Sequence, residues 1–217
     1  MAAITREFWP NRSFVWGKLR NPFDSAAVVP SPEYLPYGLY FGRLIEEKGV
    51  DRLLDAAGLI GDFPIKIVGS GPDEPKLRSM VAERKLTNVE FLGPLCGTDL
   101  DRVLKTARFI VVPSVWHENF PYVINQAFAL ARPVIGTRRG GIAELVEDGV
   151  RGLLYEADDI QALAAAIRSL AADPERARAL GTAAKAYSDQ LFVDGHFYDD
   201  LMAIYERAAD ARSRTRR

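Results

Sequence analysis

The sequence predicts an α/β fold built on a doubly wound parallel sheet of about six strands, with a helical extension at its carboxyl end. Three observations carry this expectation. Short apolar runs of strand character alternate with amphipathic helical segments along most of the chain, and the connections between them are brief. Successive parallel strands need a crossover helix, which this alternation supplies. Hydrophobic residues make up 48% of the 217 residues, enough to fill a core on both faces of a sheet and to exclude disorder for most of the chain.

Residues 1–36 hold Pro10, Pro22, Pro30, Pro32 and Pro36 among the aromatics Phe8, Trp9, Phe14, Trp16 and Phe23. Proline excludes a long helix here, and the aromatics argue against a solvated linker. The segment is therefore expected to pack on the domain or on a neighbouring surface. From Tyr37 the pattern is regular. Tyr37–Arg43 reads as a strand, and Gly49–Ile60 as a helix with Val50, Leu53, Leu54 and Ala57 on one face. Pro64–Val68, Asn88–Leu92, Phe109–Val112, Pro133–Gly136 and Gly152–Tyr155 read as further strands. Helices are expected at Pro75–Lys85, Asp99–Ala107, Pro121–Ala131 and Ile142–Glu147. The helical extension takes Ile160–Ala171, Pro174–Ser188 and Gly195–Ala211. This divides the chain into a linker (1–36), a ligand-binding α/β domain (37–190) and a last helix with a basic tail (191–217). The tail, Arg212–Arg217, reads as a solvated end.

Composition excludes several functions. A net charge of −1 gives no field toward nucleic acid, so any phosphate site must be local. The single Cys96 excludes an internal disulfide framework and suits a reducing compartment. No leader-like apolar region occurs in residues 1–20, and no run approaches the ~20 apolar residues of a membrane span. A soluble, cytoplasmic protein is expected, with membrane association only through parts outside this sequence. Two histidines and one cysteine give no cluster with metal-ligand spacing. Nor can a Ser-His-Asp or Cys-His arrangement be assembled from the loops, which argues against covalent hydrolysis.

Residues 113–126, Pro-Ser-Val-Trp-His-Glu-Asn-Phe-Pro-Tyr-Val-Ile-Asn-Gln, are the most informative stretch. A strand ends at Pro113, a polar loop carries Glu118, and a helix is expected to start with Pro121 at its first position. Ligands of open α/β sheets sit beyond the carboxyl ends of such strands. A carboxylate facing helix-start N–H groups suits a phosphorylated ligand with hydroxyls. Arg43, after Gly42, and Lys48, before Gly49, lie at the same sheet edge and read as phosphate-binding cations; the bland alternative pairs them with Glu46 and Glu47. Gly69-Ser70-Gly71 permits close backbone approach to a ligand, though it is no dinucleotide fingerprint. Gly140-Gly141, followed by Glu144, reads equally well as a second ligand turn or a plain helix entry. Asp99-Leu100-Asp101 resembles a metal grip but reads as an acidic helix start, with Thr98 as N-cap. His117 faces either the ligand or solvent, and His196 reads as structural.

Taken in order, Gly42-Arg43-x4-Lys48-Gly49, Gly69-x-Gly71, Pro113-Ser114, Glu118-x-Phe120, Arg132-Pro133-Val134, Gly140-Gly141-x-x-Glu144 and Glu147-Asp148-Gly149-Val150-Arg151-Gly152-Leu153-Leu154 resemble the donor-binding domain of retaining GT-B glycosyltransferases. That group includes glycogen and sucrose synthases and many bacterial polysaccharide enzymes, and the resemblance runs over about residues 18–210. It implies a Rossmann-like half of a GT-B fold that binds a nucleoside-diphosphate sugar, with no cofactor and usually no metal. Arg43 and Lys48 would hold the diphosphate, helped by backbone N–H groups near Asn119, Phe120 and Tyr122. Glu118 would accept from donor-sugar hydroxyls, while Gly42, Gly69, Gly71 and the Leu92–Pro94 loop would flank the nucleotide.

Two positions depart from the family pattern. Gln126 stands where the family has a second Glu that accepts both ribose hydroxyls. A Gln can accept from one and donate to the other, which implies retuned rather than abolished donor binding. Pro121 replaces a Gly common in relatives, although Glu-Asn-Phe-Pro recurs within the family. The chain is also the length of a donor half alone, so an acceptor-binding domain or subunit is the expected partner. The aromatic N-terminal segment and last helix would then face that missing surface. Two further readings stand beside transfer: a non-catalytic nucleotide-binding or assembly module, and a sugar-nucleotide epimerase of the same fold.

Overall fold

The computed structural model describes residues 23–25, 27–191 and 196–215. Expectations for Phe8, Trp9, Pro10, Phe14, Trp16, Pro22 and the last two arginines fall outside them. The strands are β1 (Gly38–Phe41), β2 (Ile65–Val68), β3 (Val89–Gly93), β4 (Phe109–Val112), β5 (Val134–Thr137) and β6 (Gly152–Tyr155). They form one parallel sheet in the order β3-β2-β1-β4-β5-β6, the doubly wound arrangement expected from the alternation. The helices are α1 (Val50–Ala57), α2 (Glu74–Glu83), α3 (Gly97–Thr106), α4 (Tyr122–Ala129), α5 (Gly140–Leu145), α6 (Ile160–Ala172), α7 (Pro174–Leu191) and α8 (His196–Thr215).

Central strands β1, β4 and β5 are buried throughout, which is why they read as unbroken apolar runs rather than alternating ones. Side chains of the sheet feed two cores. Tyr40, Ile65, Ile67, Phe109, Val111 and Ile135 meet α1 and α6 on one face. Leu39, Phe41, Ile110, Val112 and Val134 meet α4 and α5 on the other. Asp24–Leu191 forms one compact unit. Helix α8 belongs to a second unit; it begins at His196 and exposes Phe197, Tyr198, Met202 and Tyr205.

Several boundaries differ from expectation. The strand read as Tyr37–Arg43 is only Gly38–Phe41, and the chain then makes a 3-10 turn at Glu46–Lys48 before α1. Thr98 is not the N-cap of α3: extended Cys96 occupies that place, without a side-chain bond, and the helix starts at Gly97. Pro121 is not the first residue of α4 but its N-cap, with ψ at 110°. Its carbonyl accepts from the Ile124 N–H at 3.0 Å, closing the first turn. Helix α5 starts at Gly140, two residues before the expected Ile142, because the Ala143 N–H donates to the Arg139 carbonyl at 3.3 Å and closes a first turn there.

Candidate functional site

Strand order reverses between β1 and β4, since β2 and β3 extend the sheet on one side while β5 and β6 extend it on the other. This is the switch point where the loops after the carboxyl ends diverge and leave a crevice. The loop after β1 carries Arg43 and Lys48; the loop after β4 carries Glu118.

Those loops are locked together. The N–H groups of Val115 and Trp116 both donate to the Glu47 carbonyl, at 3.0 and 3.4 Å. Gly49, at φ 64°, packs so closely under Pro113 that any Cβ would collide with its carbonyl. Only glycine meets both demands. The result brings Lys48 to Glu118 across 70 positions of sequence, in a short ion pair. Ser114, 2% exposed, donates its hydroxyl to the same Glu118 Oε1 at 3.0 Å. Ser114 is itself held, its carbonyl accepting the Thr137 hydroxyl at 2.8 Å.

Glu118 is fixed from its far side as well. The Gly141 N–H donates to the Glu118 carbonyl at 2.6 Å, and side chains at Gly140 or Gly141 would strike the Glu118–Asn119 backbone. The Gly140-Gly141 turn is thus a helix entry that also clamps the carboxylate loop. Arg139 adds a bond to the Val115 carbonyl at 2.5 Å. The Gly69–Gly71 turn serves a parallel purpose, since Cβ atoms there would collide with the carbonyls of Gly42 and Leu44. Leu44 N–H donates to the Ser70 carbonyl at 2.9 Å, so this turn seats the Arg43 loop.

Beneath Arg43, the buried Tyr40 phenol donates to the Arg43 carbonyl at 2.7 Å. Burial first, and the nearby Glu118 charge second, raise the Tyr40 value above that of an ordinary phenol, against the opposing pull of Arg43. Tyr40 therefore stays protonated and keeps donating. Arg43 is exposed, while Lys48 and Glu118 retain 26% and 17% of their side-chain surface; all three can meet a ligand.

The structure thus gathers Gly42, Arg43, Lys48, Gly69, Gly71 and Glu118 around the crevice. Asn119 is exposed and Phe120 half-buried at the entry to α4. Tyr122, 44% exposed, and half-buried Gln126 share one face of α4, a turn apart. Exposed His117 lies on the outer loop. Asp99 and Asp101 form no metal grip: each pairs with a cation of its own helix, Arg102 and Lys105. Among the described residues no group of His, Cys, Asp and Glu is arranged to hold a metal, and no helix is long and apolar enough to cross a membrane. Sequence reasoning missed the parts played by Ser114, Tyr40, Thr137 and Arg139. Only Ser114, within a quoted motif, left any signal.

Residues 24–187 match the sequence profile of the family described as Glycosyl transferases group 1. An uncharacterized glycosyltransferase of Methanocaldococcus jannaschii is 36% identical over 174 residues, covering 80% of this chain and 49% of that protein. Sucrose-phosphate synthase from Thermosynechococcus elongatus superimposes with a TM-score of 0.82 at 27% identity, over 97% of this chain and 57% of that one. HepE of Anabaena, solved in complex with UDP, gives a TM-score of 0.73 at 25% identity, over 90% and 56%. The chain spans about half the length of the curated relatives it matches.

Proposed function

The chain belongs to the group 1 glycosyltransferases, and on that premise we propose that it is the nucleotide-sugar-binding domain of a retaining enzyme, moving a sugar from a nucleoside-diphosphate sugar to an acceptor in polysaccharide or glycoconjugate synthesis. The observation that carries this reading is the meeting of Lys48 and Glu118, beside Arg43, at the switch point of the sheet. The cations take the diphosphate, Glu118 accepts from sugar hydroxyls, and Gln126 meets the ribose. That HepE was solved in complex with UDP supports a nucleotide as the ligand. The acceptor oxygen attacks from the face that the nucleoside diphosphate leaves. Arg43 and Lys48 neutralise the charge growing on the departing diphosphate, whose oxygen takes up the acceptor proton. A separate acceptor-binding domain or subunit completes the cleft.

Thermal melting of the chain against UDP, GDP, ADP and their sugar conjugates tests this. A true donor at about 100 times its Kd stabilises the fold by about 2.7 kcal/mol. The expected outcome is a raised melting temperature for one base series, lost in Arg43→Ala while that variant still folds. No shift from any nucleotide, or an equal shift in Arg43→Ala, contradicts the assignment. Gln126, in place of the family's second carboxylate, favours one other reading, a module that binds without transferring. Sugar-nucleotide hydrolysis measured with and without an acceptor domain separates the two.

A further inference from the structure

We propose that the Lys48–Glu118 ion pair discriminates between the two nucleotides this site meets, disfavouring the free nucleoside diphosphate relative to the nucleotide sugar, with Ser114 as the positioning residue that holds Glu118 when Lys48 leaves it. The inference rests on the donor-site reading above and extends it to the order in which charges change partners.

The ligand-free site is already neutralised from within. One oxygen of Glu118 accepts from both the Lys48 ammonium and the Ser114 hydroxyl. A diphosphate entering the crevice draws Lys48 away, and Glu118 is left with the neutral Ser114 donor while 17% of its side chain reaches solvent. A half-buried carboxylate stripped of its cation is costly. Free nucleoside diphosphate offers nothing in return and adds its own negative charge. A nucleotide sugar brings hydroxyls that donate to the carboxylate oxygens, so the lost partner is replaced. Binding energy is thus withheld from the product and granted to the substrate. After transfer, Glu118 recaptures Lys48 and helps expel the nucleoside diphosphate.

Ser114 is built for a fixed role in this exchange. It is buried, its carbonyl is pinned by Thr137, and its hydroxyl reaches Glu118 across one turn of the loop. Lys48 can rotate toward a phosphate, whereas Ser114 cannot follow. It therefore keeps the carboxylate aimed at the sugar position.

A calorimetric cycle tests the proposal. Wild type, Glu118→Gln, Lys48→Gln, the double variant and Ser114→Ala are titrated with UDP and UDP-glucose, GDP and GDP-mannose, and ADP and ADP-glucose. In the base series that binds, Glu118→Gln is expected to tighten the free nucleoside diphosphate about threefold or more, the scale of a partly exposed ion pair. That gain should vanish in the Lys48→Gln background. Ser114→Ala should cut the advantage of the sugar conjugate over the free diphosphate by about tenfold, the scale of one bond to a charged group, and leave the diphosphate itself within about twofold. If Glu118→Gln does not fold, Glu118→Asp, which withdraws the carboxylate by one methylene, is read in the same way. Equal tightening with and without Lys48 would reveal simple charge repulsion and overturn the proposal, as would no tightening. If none of the six nucleotides binds wild type, the donor-site reading itself fails, a result distinct from either of these.

Discussion

The two ends of the sheet use the same kind of residue in opposite ways. At the amino end, before β4 and β5, Arg108 and Arg132 are 9% and 0% exposed. Arg108 donates to the Ala171 carbonyl at 2.5 Å, in the last turn of α6, and Arg132 donates to the Lys105 carbonyl, in the last turn of α3. Arg132 also reaches the Ser31 carbonyl at 2.6 Å and lies 3.7 Å from the Tyr34 ring centre. Burial lowers both guanidinium values from their ordinary range, yet helix carboxyl ends carry partial negative charge and keep them ionised. At the carboxyl end, Arg43 and Lys48 lie near the starts of α1 and α4, where helix dipoles repel cations. At that end Lys48 is held by the Glu118 carboxylate and Arg43 stays exposed; at the other end the cations hold helices in place.

Four variants probe this division. The largest effect is expected from Arg132→Ala, which strips three groups of their partner and opens a cavity. A loss of about 3 kcal/mol, near 10 °C in melting temperature, should follow, measurable by calorimetry, with any surviving folded protein still responding to nucleotide. Arg43→Ala should do the reverse: about a hundredfold loss in nucleotide affinity or turnover, the scale of a lost charge-assisted contact, and almost no change in melting. If the two arginines exchanged these phenotypes, the comparison would be broken.

Smaller effects sharpen it. Gln126→Glu should tighten nucleotide binding by about 1 kcal/mol in titration calorimetry, because a charged acceptor replaces a neutral one at the ribose; unchanged affinity would remove Gln126 from the site. Tyr40→Phe, which drops one hydrogen bond under Arg43, should cost about 1 kcal/mol. Its signature lies in pH. The folded Tyr40 value is raised above that of an ordinary phenol, so its contribution is fully present below the ordinary phenol range and is lost as pH rises through the folded value. The stability gap between wild type and Tyr40→Phe should therefore narrow in alkaline denaturation.

How much of this was legible in the sequence follows from range. The six strands of the sheet were readable because each is a short apolar run closed by glycine, proline or a polar turn, a local signal. Arg43, Lys48 and Glu118 were readable as candidates because loop position fixes which end of a strand they occupy. Their mutual contact was not, because it depends on Gly49 seating under Pro113. The Gly69-Ser70-Gly71 turn reads as room for a ligand, and in the structure its glycines face the Gly42 and Leu44 carbonyls. Close approach leaves the same residue in the sequence whether the visitor is a ligand or another loop. Arg132 appeared within a motif without a role, since its partners, Ser31 and Lys105, lie 101 and 27 positions away. Pro121 reads as the first helical residue but stands one position earlier, at the N-cap, because its missing N–H costs no intrahelical bond at either place.

In the proposed complex, the crevice between β1 and β4 holds a nucleoside-diphosphate sugar with its phosphates on Arg43 and Lys48 and its sugar on Glu118. The most direct measurement is a crystal structure of the chain soaked with the sugar nucleotide that raises its melting temperature most. The diphosphate is expected to bond both cations, with Lys48 turned away from Glu118 and sugar hydroxyls on the Glu118 carboxylate. A nucleotide bound elsewhere, or bound here with the Lys48–Glu118 pair intact and the phosphates untouched by Arg43, would contradict it.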